Sequence, residues 1–184
     1  MKLFVSLAPP RELHATLTRS FFPLREGVAG ARWTKPDQSH FTLRFIGPSD
    51  NVPALESACR AAARSVAPFE LELRGLGVFP TEGIPQILWA GVGAGGDVLT
   101  RLTAGLESGL ARAGFPPPDH PFRPHLTLAR FTGAPRLPEG FLAAHADRPW
   151  FSFRADKIAV MESQPTAFGV KHYTRSAYSL GGPA

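Results

Sequence analysis

The chain's 184 residues are 43% hydrophobic and 19% charged, enough apolar material for a real core but with no run near the ~18 apolar residues of a membrane span. Its net charge of +5 rests largely on arginine, sixteen of twenty cations, scattered without a basic run; this permits a phosphate-bearing ligand without requiring one. One cysteine, Cys59, excludes an internal disulfide and the Cys₄ and Cys₂His₂ zinc sites, and reads as a small buried filler.

In chain order, residues 2–8 read as a strand ended by Pro9 and Pro10. Its single cation and short apolar run are too little for a signal peptide, so the cytoplasm is the expected compartment. Residues 11–24 place Leu13, Leu17, Phe21 and Leu24 at helical spacing. A short strand at 31–34 carries Trp33, and a β-rich stretch at 40–46 closes on Gly47 and Pro48. Ser49 or Asp50 caps a helix over 52–66, with Pro53 in its first turn, where proline is tolerated. Alternation predicts strands at 69–79 and 86–92, joined by turn residues. Asp97 caps a helix over 98–113 with Leu99, Leu102, Leu106 and Leu110 on one face and Gly114 beyond its end. Residues 115–124 hold five prolines and deliver a second β-rich stretch rigidly. A short helix at 139–144 and strands at 150–161 and 173–180 follow. No linker divides residues 1–184, which are expected to form one bilobal α+β domain. Two mainly antiparallel sheets with outer helices would be related by a pseudo-two-fold, one half of the chain in each, with a cleft between the lobes.

Two stretches nearly repeat, 85 residues apart: His40-Phe41-Thr42-Leu43-Arg44-Phe45 and His125-Leu126-Thr127-Leu128-Ala129-Arg130. Residues i and i+2 of a strand share a face, so each copy sets an imidazole beside a hydroxyl with apolar residues behind. A lone His-x-Thr-Leu arises by chance; two in one chain point to a paired site. Imidazole titrates near pH 6.5, so one His accepts a proton while the other donates, and the Thr hydroxyls stabilise charge on a phosphate. A His-bound metal is the rival reading, but neither motif brings an Asp or Glu beside its His.

These motifs, with residues 3–10 (LFVSLAPP), 32–47 (RWTKPDQSHFTLRFIG) and 122–131 (FRPHLTLARF), resemble the 2H phosphoesterases over essentially the full chain. The resemblance is to their bacterial and archaeal RNA 2',3'-cyclic phosphodiesterase branch. It implies the bilobal fold and hydrolysis of an RNA 2',3'-cyclic phosphate to a 2'-phosphomonoester, with neither metal nor cofactor. RNA ends or small cyclic nucleotides would be the substrates, and no obligatory protein partner is implied. By the same resemblance His40 is the proton donor, His125 the proton acceptor, and Thr42 and Thr127 bind phosphate. The residues alone leave the two imidazoles unranked, because the repeat is symmetric.

Arg130 is the best further cation for the phosphate, although ideal strand parity puts it on the face opposite His125 and Thr127; it reaches the site only through a bulge. Arg44 and Arg123 have the favourable parity. Phe4, Phe45 and Phe131 are candidate platforms for a base, whereas Trp33 and Trp89 read as packing residues. His14, His120, His145 and His172 fall outside any pattern and are expected on the surface. Two other functions fit less well: 2',5'-phosphodiester hydrolysis with reversible 2'-5' RNA ligation, and noncatalytic RNA binding with a steep salt slope.

Overall fold

The computed structural model describes residues 2–167 and 169–181; residues 1, 168 and 182–184 of the expected domain lie outside that set. The elements run β1 (Lys2–Leu7), α1 (His14–Phe21), β2 (Ala29–Trp33), β3 (Phe41–Gly47), α2 (Val52–Arg64), β4 (Phe69–Phe79) and β5 (Ile87–Val92). They continue with α3 (Gly96–Arg112), β6 (Leu126–Arg136), α4 (Phe141–Ala144), β7 (Pro149–Ala155), β8 (Lys157–Thr166) and β9 (Gly169–Ser179). The strands form two sheets in the orders β3-β1-β8-β9 and β2-β6-β5-β4-β7, every neighbouring pair antiparallel.

The α+β architecture is the expected one, but the lobes are not the halves of the chain. Strand β2, from the first half, pairs with β6 in the five-stranded sheet, while β8 and β9 complete the sheet begun by β1 and β3. The stretch predicted as one strand at 150–161 is two strands in different sheets. Its buried residues shift parity at Asp156, from Phe153 and Ala155 to Ile158 and Val160, and a flat strand cannot bury both sets.

Local chemistry trims the predicted helices. Pro23 lacks an N–H and follows the end of α1, so residues 11–24 form α1 between tighter 3₁₀ turns at Arg11–Leu13 and Phe22–Gly27. Asn51, not Ser49 or Asp50, holds the N-cap position of α2; the Ser49 hydroxyl accepts its N–H at 3.2 Å. Asp97 lies inside the first turn of α3, paired with Arg101 at 2.8 Å. The N-cap is Gly95 at φ +82°, where a Cβ would meet the Glu70 carbonyl at 2.1 Å.

Helices α2 and α3 pack on each other where Gly109 meets Ala58, with α2 against β8 and β9 and α3 against β4. Their apolar faces join Leu3, Val5, Leu7, Phe41, Leu71, Leu73, Leu88 and Leu126 in one continuous core, and Cys59 is buried within it. Among the described residues no helix is long and apolar enough to cross a membrane. Burying the motif strands' apolar faces leaves the opposite faces of β3 and β6 to carry the polar residues.

Candidate active site

The histidines of the two motifs sit one residue before their strands, β3 in the four-stranded sheet and β6 in the five-stranded one. Each imidazole is held by the same device. His40 Nδ1 lies 2.7 Å from the Gln38 carbonyl oxygen, and His125 Nδ1 lies 2.7 Å from that of Arg123. A carbonyl only accepts, so both Nδ1 atoms carry hydrogen and both Nε2 atoms keep a lone pair when the rings are neutral. No sequence signal announces this arrangement, because the acceptors are backbone groups.

Strand parity does not survive past the threonines. Ser6 pairs with Thr42 but Val5 pairs with Arg44; likewise Trp89 pairs with Thr127 but Leu88 with Ala129. Each motif strand therefore carries one extra residue, a bulge, at Leu43 and at Leu128. Beyond the bulge the faces exchange. Arg44, expected on the site face, is 7% exposed and bonded to Glu107 at 3.1 Å and to the Pro116 carbonyl. Phe45 and Arg130, which occupy equivalent places in the two motifs, turn to the cleft instead.

A cavity of about 280 Å³ opens between the sheets. The four-stranded sheet lines it with Phe4, Thr42, Phe45, Gly169, Val170 and His172, and the five-stranded sheet with Arg32, Trp33, Thr127 and Arg130. Thr34, Lys35, Gln38 and His40 come from the segment that crosses from one sheet to the other. His125 does not line this volume, yet its charge and that of Arg130 both act on His40. Burial pushes the His40 pKa down from 6.5 to about 4, outweighing the Gln38 carbonyl, which favours the charged ring; His172, Arg130 and His125 push the same way as burial. His125 is lowered chiefly by burial and further by Arg130, and His172 by the same two causes. At pH 7 His40, His125 and His172 are therefore predominantly neutral.

His172 is the residue the sequence missed. Expected on the surface, it stands edge-on to His40 (5.4 Å, 86°) and to Phe4 (5.0 Å, 77°), with Nδ1 3.1 Å from Ser163 Oγ. Its strand begins at Gly169, four residues before the predicted start, and that extension carries it into the cleft. His145 is also half-buried; its ring stacks on Trp150 at 5.8 Å, away from the cavity. His14 and His120 line no part of the cavity.

Of the three phenylalanines, Phe4 is 2% exposed and packs beneath His40 at 5.0 Å, so it is a floor. Phe131 packs against the core, and only Phe45, 69% exposed, presents an open ring in the cavity. Arg123 is exposed and lies 5.9 Å over Phe79, whose ring stands edge-on to His125 at 5.0 Å. Trp33 both packs against the core and lines the cavity; Trp89 lies 6.4 Å from His125. Among the described residues no group of three or more His, Cys, Asp or Glu side chains is arranged to hold a metal.

The depressed His40 pKa has a consequence for stability. Between pH 4 and 6.5 the unfolded chain binds more protons than the folded one, so stability rises with pH across that window. The contribution is fully present above about pH 6.5 and is lost on acidification toward 4, roughly 3 kcal/mol over the interval. Urea unfolding of His40→Asn should show a flatter acid limb than the parent chain by about that amount; parallel limbs would contradict the burial of His40.

A model of the 2'-5' RNA ligase superfamily matches residues 24–166. The chain is 40% identical over 119 residues to a protein of Aeropyrum pernix named RNA 2',3'-cyclic phosphodiesterase, covering 62% of this chain and 68% of that one. To a protein of the same name from Thermus thermophilus it is 37% identical over 147 residues, 75% and 73% of the two chains. A crystal structure from Thermus thermophilus superposes with a TM-score of 0.81 at 30% identity over 100% of both chains. E. coli LigT complexed with 3'-AMP superposes with a TM-score of 0.75 at 22% identity over 97% of both, a likeness of fold.

Proposed function

The chain belongs to the 2'-5' RNA ligase superfamily, and from this we propose that it is a hydrolase of RNA 2',3'-cyclic phosphate ends, releasing 2'-phosphomonoesters. The observation that carries the reading is the pair of imidazoles held alike by Nδ1, with Thr42, Thr127 and Arg130 lining the cavity between their strands. His125 Nε2 takes a proton from water as the water oxygen attacks phosphorus. The bond from phosphorus to O3' breaks, and His40, which the bound anion brings to its imidazolium form, gives its Nε2 proton to O3'. Thr42, Thr127 and the Arg130 guanidinium donate to the nonbridging oxygens as charge accumulates there. One water is consumed, and the two rings exchange their protons with solvent before the next turnover. A substrate made of RNA ends fits work in the cytoplasm.

The identical tethering of the two rings also supports the reverse use of the site, with donor and acceptor exchanged, in 2',5'-phosphodiester cleavage or ligation. Assaying a 2',3'-cyclic nucleotide and a 2',5'-linked dinucleotide in EDTA, with 2'- and 3'-phosphate products separated, distinguishes these. The proposal expects undiminished cyclic phosphate hydrolysis and a 2'-phosphate product; a 3'-phosphate product or dependence on added metal refutes it. Because both catalytic pKa values lie below 6.5 in the free protein, kcat/KM should fall about tenfold per pH unit above neutrality. A bound anion favours the imidazolium, so the kcat profile should hold to higher pH than that of kcat/KM. Coincident profiles would remove the phosphate from the neighbourhood of the histidines.

A further inference from the structure

The cavity holds more positive charge than one cyclic phosphate uses. Arg32, Lys35 and Arg130 line it, no Asp or Glu does, and none of the three cations has an ion-pair partner among the described residues. Arg32 lies directly opposite Arg130 in the β2–β6 register. Like charges at directly opposed positions destabilise a sheet, so this pair is an arrangement that folding alone disfavours. An anion removes the conflict.

A cyclic phosphodiester carries one negative charge, and its place is between Thr42, Thr127 and Arg130. The charge of Arg130 acts on His40, His125 and His172, whereas Arg32 and Lys35 are not among the charges that act on those rings. Arg32, Lys35 and Arg130 are all exposed at the rim, whereas Thr42, Thr127 and His40 are half-buried. Arg32 reaches from the five-stranded sheet toward the tip of β9 in the other sheet, where a Cβ on Gly169 would be 3.8 Å from its Nη1. Lys35 stands on the crossing segment that also delivers His40. Charge at the mouth and acid–base groups at the bottom describe a site for two phosphates at different depths.

We propose that Arg32 and Lys35 form a second phosphate subsite, which binds the phosphodiester on the 5' side of the terminal nucleotide. The preferred substrate is then an RNA chain with a cyclic end, not a free cyclic mononucleotide. This deepens the hydrolase reading and rests on it.

The test compares a 2',3'-cyclic mononucleotide with a cyclic-ended trinucleotide, using the full chain, R32M, K35M and, as a control for net charge, R112M. The unaltered protein should show kcat/KM on the order of tenfold higher for the trinucleotide. R32M and K35M should each remove most of that preference, through KM, and flatten the trinucleotide's salt dependence by about 0.7 in logarithmic slope. R112M should retain it. R32M should melt no lower than the parent, since it relieves the opposed arginines; if it misfolds, K35M carries the test. Equal kcat/KM for the two substrates, or equal losses on both in R32M and K35M, overturns the subsite. If neither substrate is hydrolysed by the unaltered protein, the hydrolase reading falls and the subsite with it.

Discussion

His125→Ala is expected to lower kcat for a 2',3'-cyclic nucleotide by about 10³-fold, His40→Ala by a similar factor, and the double variant by little more than either. The reason is the shared proton inventory. With His125 absent the attacking water keeps its proton, and with His40 absent O3' must leave as an alkoxide. Removing the second ring costs little once the first has broken the concerted step. Each ring is anchored by one hydrogen bond to a carbonyl two residues upstream, so its loss leaves the strand register in place. Steady-state kinetics with a melting curve for each variant checks this. Undiminished turnover in either single variant would sink the acid–base assignment. A protein that never hydrolyses the substrate, yet binds single-stranded RNA equally with or without both rings, would instead be an RNA-binding module.

The second large effect falls on Arg130. Arg130→Ala should reduce kcat by about 10²-fold or more, the usual loss of one preorganised donor to a developing oxyanion, and Arg130→Lys should recover only part of it because a lysine cannot form the planar fork. Arg44 gives the opposite signature. Arg44→Met leaves Glu107 without its partner at 3.1 Å and removes the bond to Pro116, so stability falls by roughly 3 kcal/mol while kcat is retained. Comparing kcat and denaturation midpoints of the two variants tests the bulges directly. Without the extra residue at Leu43 and Leu128, the two arginines would exchange roles.

The parts of this molecule that were legible in its sequence are those written in side-chain chemistry at short range. Repeated His-x-Thr, the leucine spacing of α3 and the alternation of β4 and β5 each follow from a local period that one segment contains whole. What escaped was written in the backbone or between distant segments. A bulge is one uncounted residue, yet it exchanged Arg44 for Phe45 and brought in Arg130. The corner at Asp156 shows only as a parity slip among apolar residues. His172 belongs to the site through the pairing of β9 with β8, and no motif marks that pairing. Halves of a chain that look alike also invite the assumption that each makes its own lobe, which the strand order contradicts.

That interleaved order governs how the molecule can be made. Strand β1 lies between β3 and β8, and β8 begins only at Lys157. During synthesis β1 therefore waits with one edge unpaired until β8 has left the ribosome. Neither lobe is available as an early folding unit, and a nascent chain stalled before residue 157 presents an open sheet edge to its surroundings. The topology that builds the cleft makes β1 dependent on a partner strand that begins 150 residues after it ends.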